Sequence, residues 1–214
     1  MIKYASTSIA LCAAMSLAQA ATDTSDLWDT HQGTVITASS PIHSGSSARD
    51  MFGANDSGIE TGNTLFFDGG GVGQLHFVEW TTTHAVTIGR FVLYATHDGP
   101  PFDAHQRGFS RFSLQAFNVN SLAFEELYSF TPDNPYSFMD QPSVLLVSAA
   151  IAPTTASSWR AEFVQFGPSS NSAGPRIVEL DGFAPAPVPV PAAAWLLASG
   201  LLVPALRRRP KTPG

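Results

Sequence analysis

The chain has 214 residues, 44% hydrophobic and 13% charged, with one cysteine and a formal net charge of −6. All 17 acidic residues lie between Asp23 and Asp181, whereas Lys3, Arg207, Arg208, Arg209 and Lys211, five of the 11 basic ones, sit at the two ends. The interior therefore sets six arginines against 17 acids, a charge of −11 without a lysine. Such a surface repels phosphate backbones and excludes nucleic acid as a partner.

Residues 1–20 have the three-part layout of a secretory signal peptide. Lys3 is followed by an apolar run over 9–17, and Ala18-Gln19-Ala20 ends it in the small-x-small pattern that signal peptidase accepts. Cys12 lies inside the apolar run behind the bulky Leu11, which argues against a lipoprotein. It leaves with the signal, so the exported chain has no disulfide and is held together by burial alone.

Residues 21–183 read as a single all-β domain. The stretch 21–63 is polar and rich in Gly and Ser, and is expected to supply a first strand at 34–38 plus long loops that wrap the rest. Beyond it, runs rich in Val, Ile, Phe, Tyr, Trp and Thr alternate with Gly, Pro, Asn, Asp and Ser breaks. These place strands at 64–67, 74–80, 85–96, 109–118, 124–130, 143–151, 158–166 and 175–183. Trp159, Ala161 and Phe163 alternate with Arg160 and Glu162, the period of a half-buried strand. Eight or nine such strands indicate a two-sheet sandwich or jelly roll.

Little in this domain has the spacing of a catalytic constellation. Six histidines occur without a tight ligand pair, and no G-x-S-x-G elbow is present. His76 and His84 read as sheet residues, and Asp68-Gly69-Gly70-Gly71-Val72-Gly73 lacks the Lys of a phosphate loop and reads as a turn. Glu125 and Glu126 fall on opposite faces of a strand, unlike the facing carboxylates of a glycosidase. The stretch with most binding character is 97–108, longer than a hairpin needs. There His97, Asp98, Phe102, Asp103, His105 and Arg107 combine an aromatic face with planar hydrogen-bonding groups, the mixture a pyranose requires. A plain solvated loop is the alternative.

The C-terminal region is the most specific. Residues 184–191 form a Pro-rich linker ending in Val188-Pro189-Val190-Pro191, residues 192–206 are uncharged and apolar, and 207–214 carry the arginine cluster. As a helix, 192–206 reaches about 22 Å, short of the roughly 30 Å bilayer core. The arginines place the C-terminus in the cytoplasm, opposite a domain exported by the signal peptide. In order and spacing this segment resembles a PEP-CTERM sorting signal, with Val188, Pro189 and Pro191 as its V-P-x-P and Arg207, Arg208 and Arg209 as its basic stop. Pro204 within the apolar run and the extension 210–214 depart from that pattern. The resemblance implies transient inner-membrane residence in a Gram-negative bacterium, cleavage by an exosortase-type membrane peptidase, and release to the surface or extracellular matrix.

A second resemblance covers 74–183. Thr87-Ile88-Gly89-Arg90-Phe91, Phe112-Ser113-Leu114-Gln115-Ala116 and the closing Arg176-Ile177-Val178-Glu179-Leu180-Asp181-Gly182-Phe183 are similar to the galactose-binding-like, discoidin-type β-sandwich. It implies a structural calcium near the closing strand, for which Asp68, Glu179 and Asp181 are the oxygen donors available, and no other cofactor. Together these features lead to the expectation of a non-enzymatic matrix protein that associates with exopolysaccharide. The rivals are a secreted glycosidase or esterase and a purely structural component.

Overall fold

The computed structural model describes residues 25–53, 63–96, 107–131, 144–166 and 173–186. The expected signal peptide, the Pro-rich sorting motif, the apolar run 192–206 and the basic tail lie outside them. Among the described residues no helix is long and apolar enough to cross a membrane. All but Ala186 belong to one compact unit, Asp23–Pro185.

Among the described residues that unit contains a single 3-10 turn, Thr30–Gln32, and seven strands. The strands are β1 (Val35–Ser39), β2 (Thr64–Phe67), β3 (Leu75–Thr96), β4 (Phe109–Asn118), β5 (Ala123–Phe130), β6 (Val144–Gln165) and β7 (Ala173–Phe183). All neighbours are antiparallel, in the order β2-β7-β3-β6-β4-β5, with β1 on β3. The expected all-β sandwich is present.

Seven strands replace the expected nine because two pairs of predicted strands are continuous. β3 and β6 are each 22 residues long and pair along nearly their whole length, with register shifts between Thr81 and Val86 and between Ile88 and Arg90. Bulges of this kind bend a ladder without ending it. Pro153, a breaker in sequence terms, falls between Ala150 and Thr154, which pair with Arg90 and Ile88. Proline is tolerated where the ladder is already interrupted.

The bends let both long strands serve two layers. Residues 75–81 of β3 and 158–164 of β6 join β1, β4 and β5, while 90–96 of β3 and 144–150 of β6 join β7 and β2. Alternating residues from both layers meet between them. Phe91 of the second layer stacks near Phe112 and Tyr128 of the first, with ring centroids 5.7 and 4.9 Å apart. Phe66 does the same with Phe163 at 5.7 Å. As the alternation requires, Trp159, Ala161 and Phe163 are fully buried. Arg160 stays on the outer face, where Nη1 donates to Glu79 Oε1 at 2.9 Å and the guanidinium lies 4.4 Å from the Phe77 ring centroid.

The N-terminal wrap closes one open side. β2 pairs with β7 only as far as Ile177. Beyond that point Leu180 N donates to Met51 O at 2.7 Å, and Leu27 N donates to Gly182 O at the same distance. Trp28, Met51 and Phe52 are thereby driven fully into the core. A side chain at Gly182 would force Trp28 to shift, since a Cβ at that position would stand 2.5 Å from the Trp28 ring.

Candidate functional site

One end of the sandwich carries the loop singled out by its composition. β3 stops at Thr96 and β4 begins at Phe109, so the loop spans the gap between them. His97, Asp98, Phe102, Asp103 and His105 lie outside the described residues. Arg107 is described, with a left-handed φ of 74°. Its carbonyl accepts from Arg176 N at 3.0 Å, and the Gly108 carbonyl accepts from Phe166 N at 3.2 Å. The returning arm of the loop is thus tied to the start of β7 and the end of β6.

Asp68 lies in the turn joining β2 to β3. Its Oδ1 accepts from Gly70 N at 3.1 Å and Gly71 N at 2.6 Å, closing the Gly-rich turn as expected. His76 is fully buried nearby, with Nε2 2.9 Å from Gln165 Oε1. Burial pushes its imidazole below the usual histidine range, against the opposing pull of Gln165 and the Asp68 charge. His76 is therefore a neutral core residue, and His84 is exposed at the bend of β3.

Carboxylates converge elsewhere. Asp26, Glu179 and Asp181 each offer an oxygen within 4.8 Å of the others. Glu179 and Asp181 share one face of β7 by the period of two, while Asp26 arrives from the N-terminal wrap. Asp26 Oδ1 accepts from Trp28 N at 3.0 Å and Gly182 N at 2.7 Å, and the buried Oδ2 has no hydrogen-bond partner. Burial, and then the Asp181 charge, push the Asp26 carboxyl up to about 7 against those two amides. A hard cation would offset this carboxylate repulsion, and the three oxygens would supply part of the roughly six to eight that calcium takes. The expected donors Glu179 and Asp181 are thus brought together. Asp68 is not part of the cluster, because the turn amides claim it. Sequence reading missed Asp26, which stands in a polar stretch far from β7 with no local spacing to mark it.

The opposite end of the sandwich holds a cleft of about 400 Å³ between the β4–β5 turn and the bend of β6, within the range of small-molecule sites. Its floor is apolar, from Ala116, Leu127 and Ala156, and its rim is polar, from Asn118, Asn120, Glu125, Ser157 and Ser158.

Solved structures share this architecture. The family 32 carbohydrate-binding module of EndoD from Streptococcus pneumoniae superposes with a TM-score of 0.51 at 14% identity, over 75% of this chain and 99% of that one. CBM32-3 from a family 31 glycoside hydrolase of Clostridium perfringens gives 0.52 at 9%, over 73% and 93%. The family 32 module of C. perfringens NanJ, solved in complex with galactose, gives 0.50 at 10%, over 74% and 97%. The chain shares the β-sandwich fold of these modules. No protein-family model and no curated protein matches the chain. The likeness is one of fold, and fold alone does not assign a ligand.

Proposed function

We propose that this protein is an exported, non-catalytic carbohydrate-binding domain that associates with exopolysaccharide. The observation that carries the reading is the fold, shared over 93–99% of the length of two modules named for carbohydrate binding and one solved with galactose. The loop 97–108 is the proposed sugar contact. Phe102 supplies the apolar face, while His97, Asp98, Asp103, His105 and Arg107 supply the hydrogen-bonding rim. Asp26, Glu179 and Asp181 would hold a calcium ion that pins the N-terminal wrap to β7; the ion has no further role.

Address completes the proposal. The signal peptide would export the domain, and the PEP-CTERM-like tail would hold it in the inner membrane until an exosortase-type peptidase releases it near Val188-Pro189-Val190-Pro191. Mass spectrometry of the extracellular protein tests this directly, since an end beyond Arg209 contradicts it. For binding, the purified full chain is applied to a glycan array with calcium present. Binding to neutral polysaccharides is expected, with loss on Phe102→Ala and Arg107→Ala. A folded protein that binds no glycan, or one that turns over glycoside or ester substrates, overturns the reading.

A further inference from the structure

The cleft lies at the end of β4 away from the residues that bound the loop. β4 runs from Phe109 beside the loop to Asn118 at the cleft, and its ten residues at about 3.3 Å each separate the two by roughly 30 Å. Of the loop's described residues, neither Arg107 nor Gly108 lines the cleft.

Its central group is Glu125. In the β4–β5 ladder Glu125 pairs with Ala116, and Glu126 pairs with Gln115. Glu126 is drawn to the outer face, where it accepts from Arg111 Nη2 at 2.8 Å and Ser113 Oγ at 3.0 Å. Glu125 instead lines the cleft. Its Oε1 accepts from Asn118 Nδ2 and from Ser121 Oγ, both at 2.8 Å. Asn118 is itself oriented, because its Oδ1 accepts from Asn120 N at 2.8 Å. These donors, Asn118 first, hold the Glu125 carboxyl below the usual glutamate range. The cleft therefore contains a fixed anion at neutral pH, and Oε2 has no partner among the described residues.

The chemistry around that anion is one-sided. Amides of Asn118 and Asn120 and hydroxyls of Ser157 and Ser158 surround an apolar floor, and among the described residues neither lysine nor arginine lines the space. A ligand with an apolar face and a rim of hydroxyl or ammonium groups satisfies both surfaces, whereas a carboxylate or sulfate would meet Glu125 without a compensating cation. The geometry points to a second sugar-binding cleft, centred on Glu125 and opposite the loop, that takes neutral or amine-bearing pyranoses and rejects acidic ones. Given the carbohydrate-binding role proposed above, one domain would then grip two polymer strands and cross-link them.

An NMR titration of the full chain with the glucosamine trisaccharide, and separately with the galacturonate trisaccharide, decides the matter. The glucosamine oligomer is expected to shift the amides of Asn118, Asn120, Ser157 and Ser158, and the galacturonate oligomer to leave them in place. Glu125→Gln should weaken glucosamine binding at least tenfold, and Ser157→Trp, which fills the cleft from the other strand, should abolish it. Phe102→Ala should leave these shifts intact, so a failed loop and a failed cleft are told apart. Absence of shifts at these four residues, equal response to galacturonate, or unchanged affinity in both Glu125→Gln and Ser157→Trp overturns the assignment.

Discussion

The N-terminal wrap and the β4–β5 hairpin invert what their compositions suggest. Residues 25–53 are polar and contain one short strand, yet Trp28, Met51 and Phe52 are fully buried. Trp28 sits edge-on to Trp80 and Trp159, with centroids 5.1 and 5.3 Å away, and Phe52 lies 4.8 Å from Trp80. β5 is a regular strand with aromatic residues, yet it lies at the edge of the sheet and none of its side chains is buried. Regular backbone guarantees only half-burial, whereas an irregular segment can deliver whole side chains into the gap between layers. Core membership is decided by where the backbone crosses the sheet edge.

Substitutions in the two regions should therefore differ in scale. Trp28→Ala is expected to cost most, about 3–5 kcal/mol of unfolding free energy in urea, and to lower Tm by about 2–4 °C for each kcal/mol. A loss below about 1 kcal/mol would show that the wrap is not part of the core. Gly182→Ala forces a methyl against the Trp28 ring at 2.5 Å and should cost about 1–3 kcal/mol by overpacking. It should vanish as an independent effect in the Trp28→Ala background, which a double-mutant cycle measures.

The Asp26 hook gives the wrap a pH signature. Its carboxyl is raised from 3.8 to about 7 in the folded chain, burial being the larger cause. Between those values the folded state holds the extra proton, so stability falls as pH rises from about 4 to 7 and the penalty is complete above that. Asp26→Asn keeps an oxygen acceptor for Trp28 N and Gly182 N, and should flatten this slope in Tm measured from pH 4 to 8. Calcium, by stabilising the carboxylate, should flatten it in the parent and do nothing in Asp26→Asn.

The hairpin should respond weakly. Phe124 meets Phe117 edge-on at 5.4 Å, but it is only partly buried, so Phe124→Ala is expected to cost about 1 kcal/mol. Glu126→Gln breaks the exposed pair with Arg111 and should change stability by less than about 1 kcal/mol, with salt masking the rest. A large loss at either position would erase the contrast between the two regions.

Legibility in the sequence follows the range of the forces involved. Alternation is local, so the buried faces of Trp159, Ala161 and Phe163 or of Phe91 and Leu93 can be read directly from their spacing, and with them the all-β class. The split of Glu125 from Glu126 and the turn at Asp68 are equally local. Continuity of β3 and β6 was hidden, because the polar gap 81–84 and the stretch around Pro153 separate the predicted strands until a neighbouring strand supplies the register that tolerates them. Glu179 and Asp181 were visible as neighbours on one face, but their third partner was not.

The sequence by itself determined the strand faces, the acidic lysine-free interior and the candidate loop, since each depends on residues within a few positions of one another. Tertiary structure alone decided that Trp28 fills the core, that Asp26 meets Glu179 and Asp181, and that Glu125 stands in a cleft with Ser157. Those contacts join backbone far apart in the chain, and only the antiparallel pairing of bent strands brings it together.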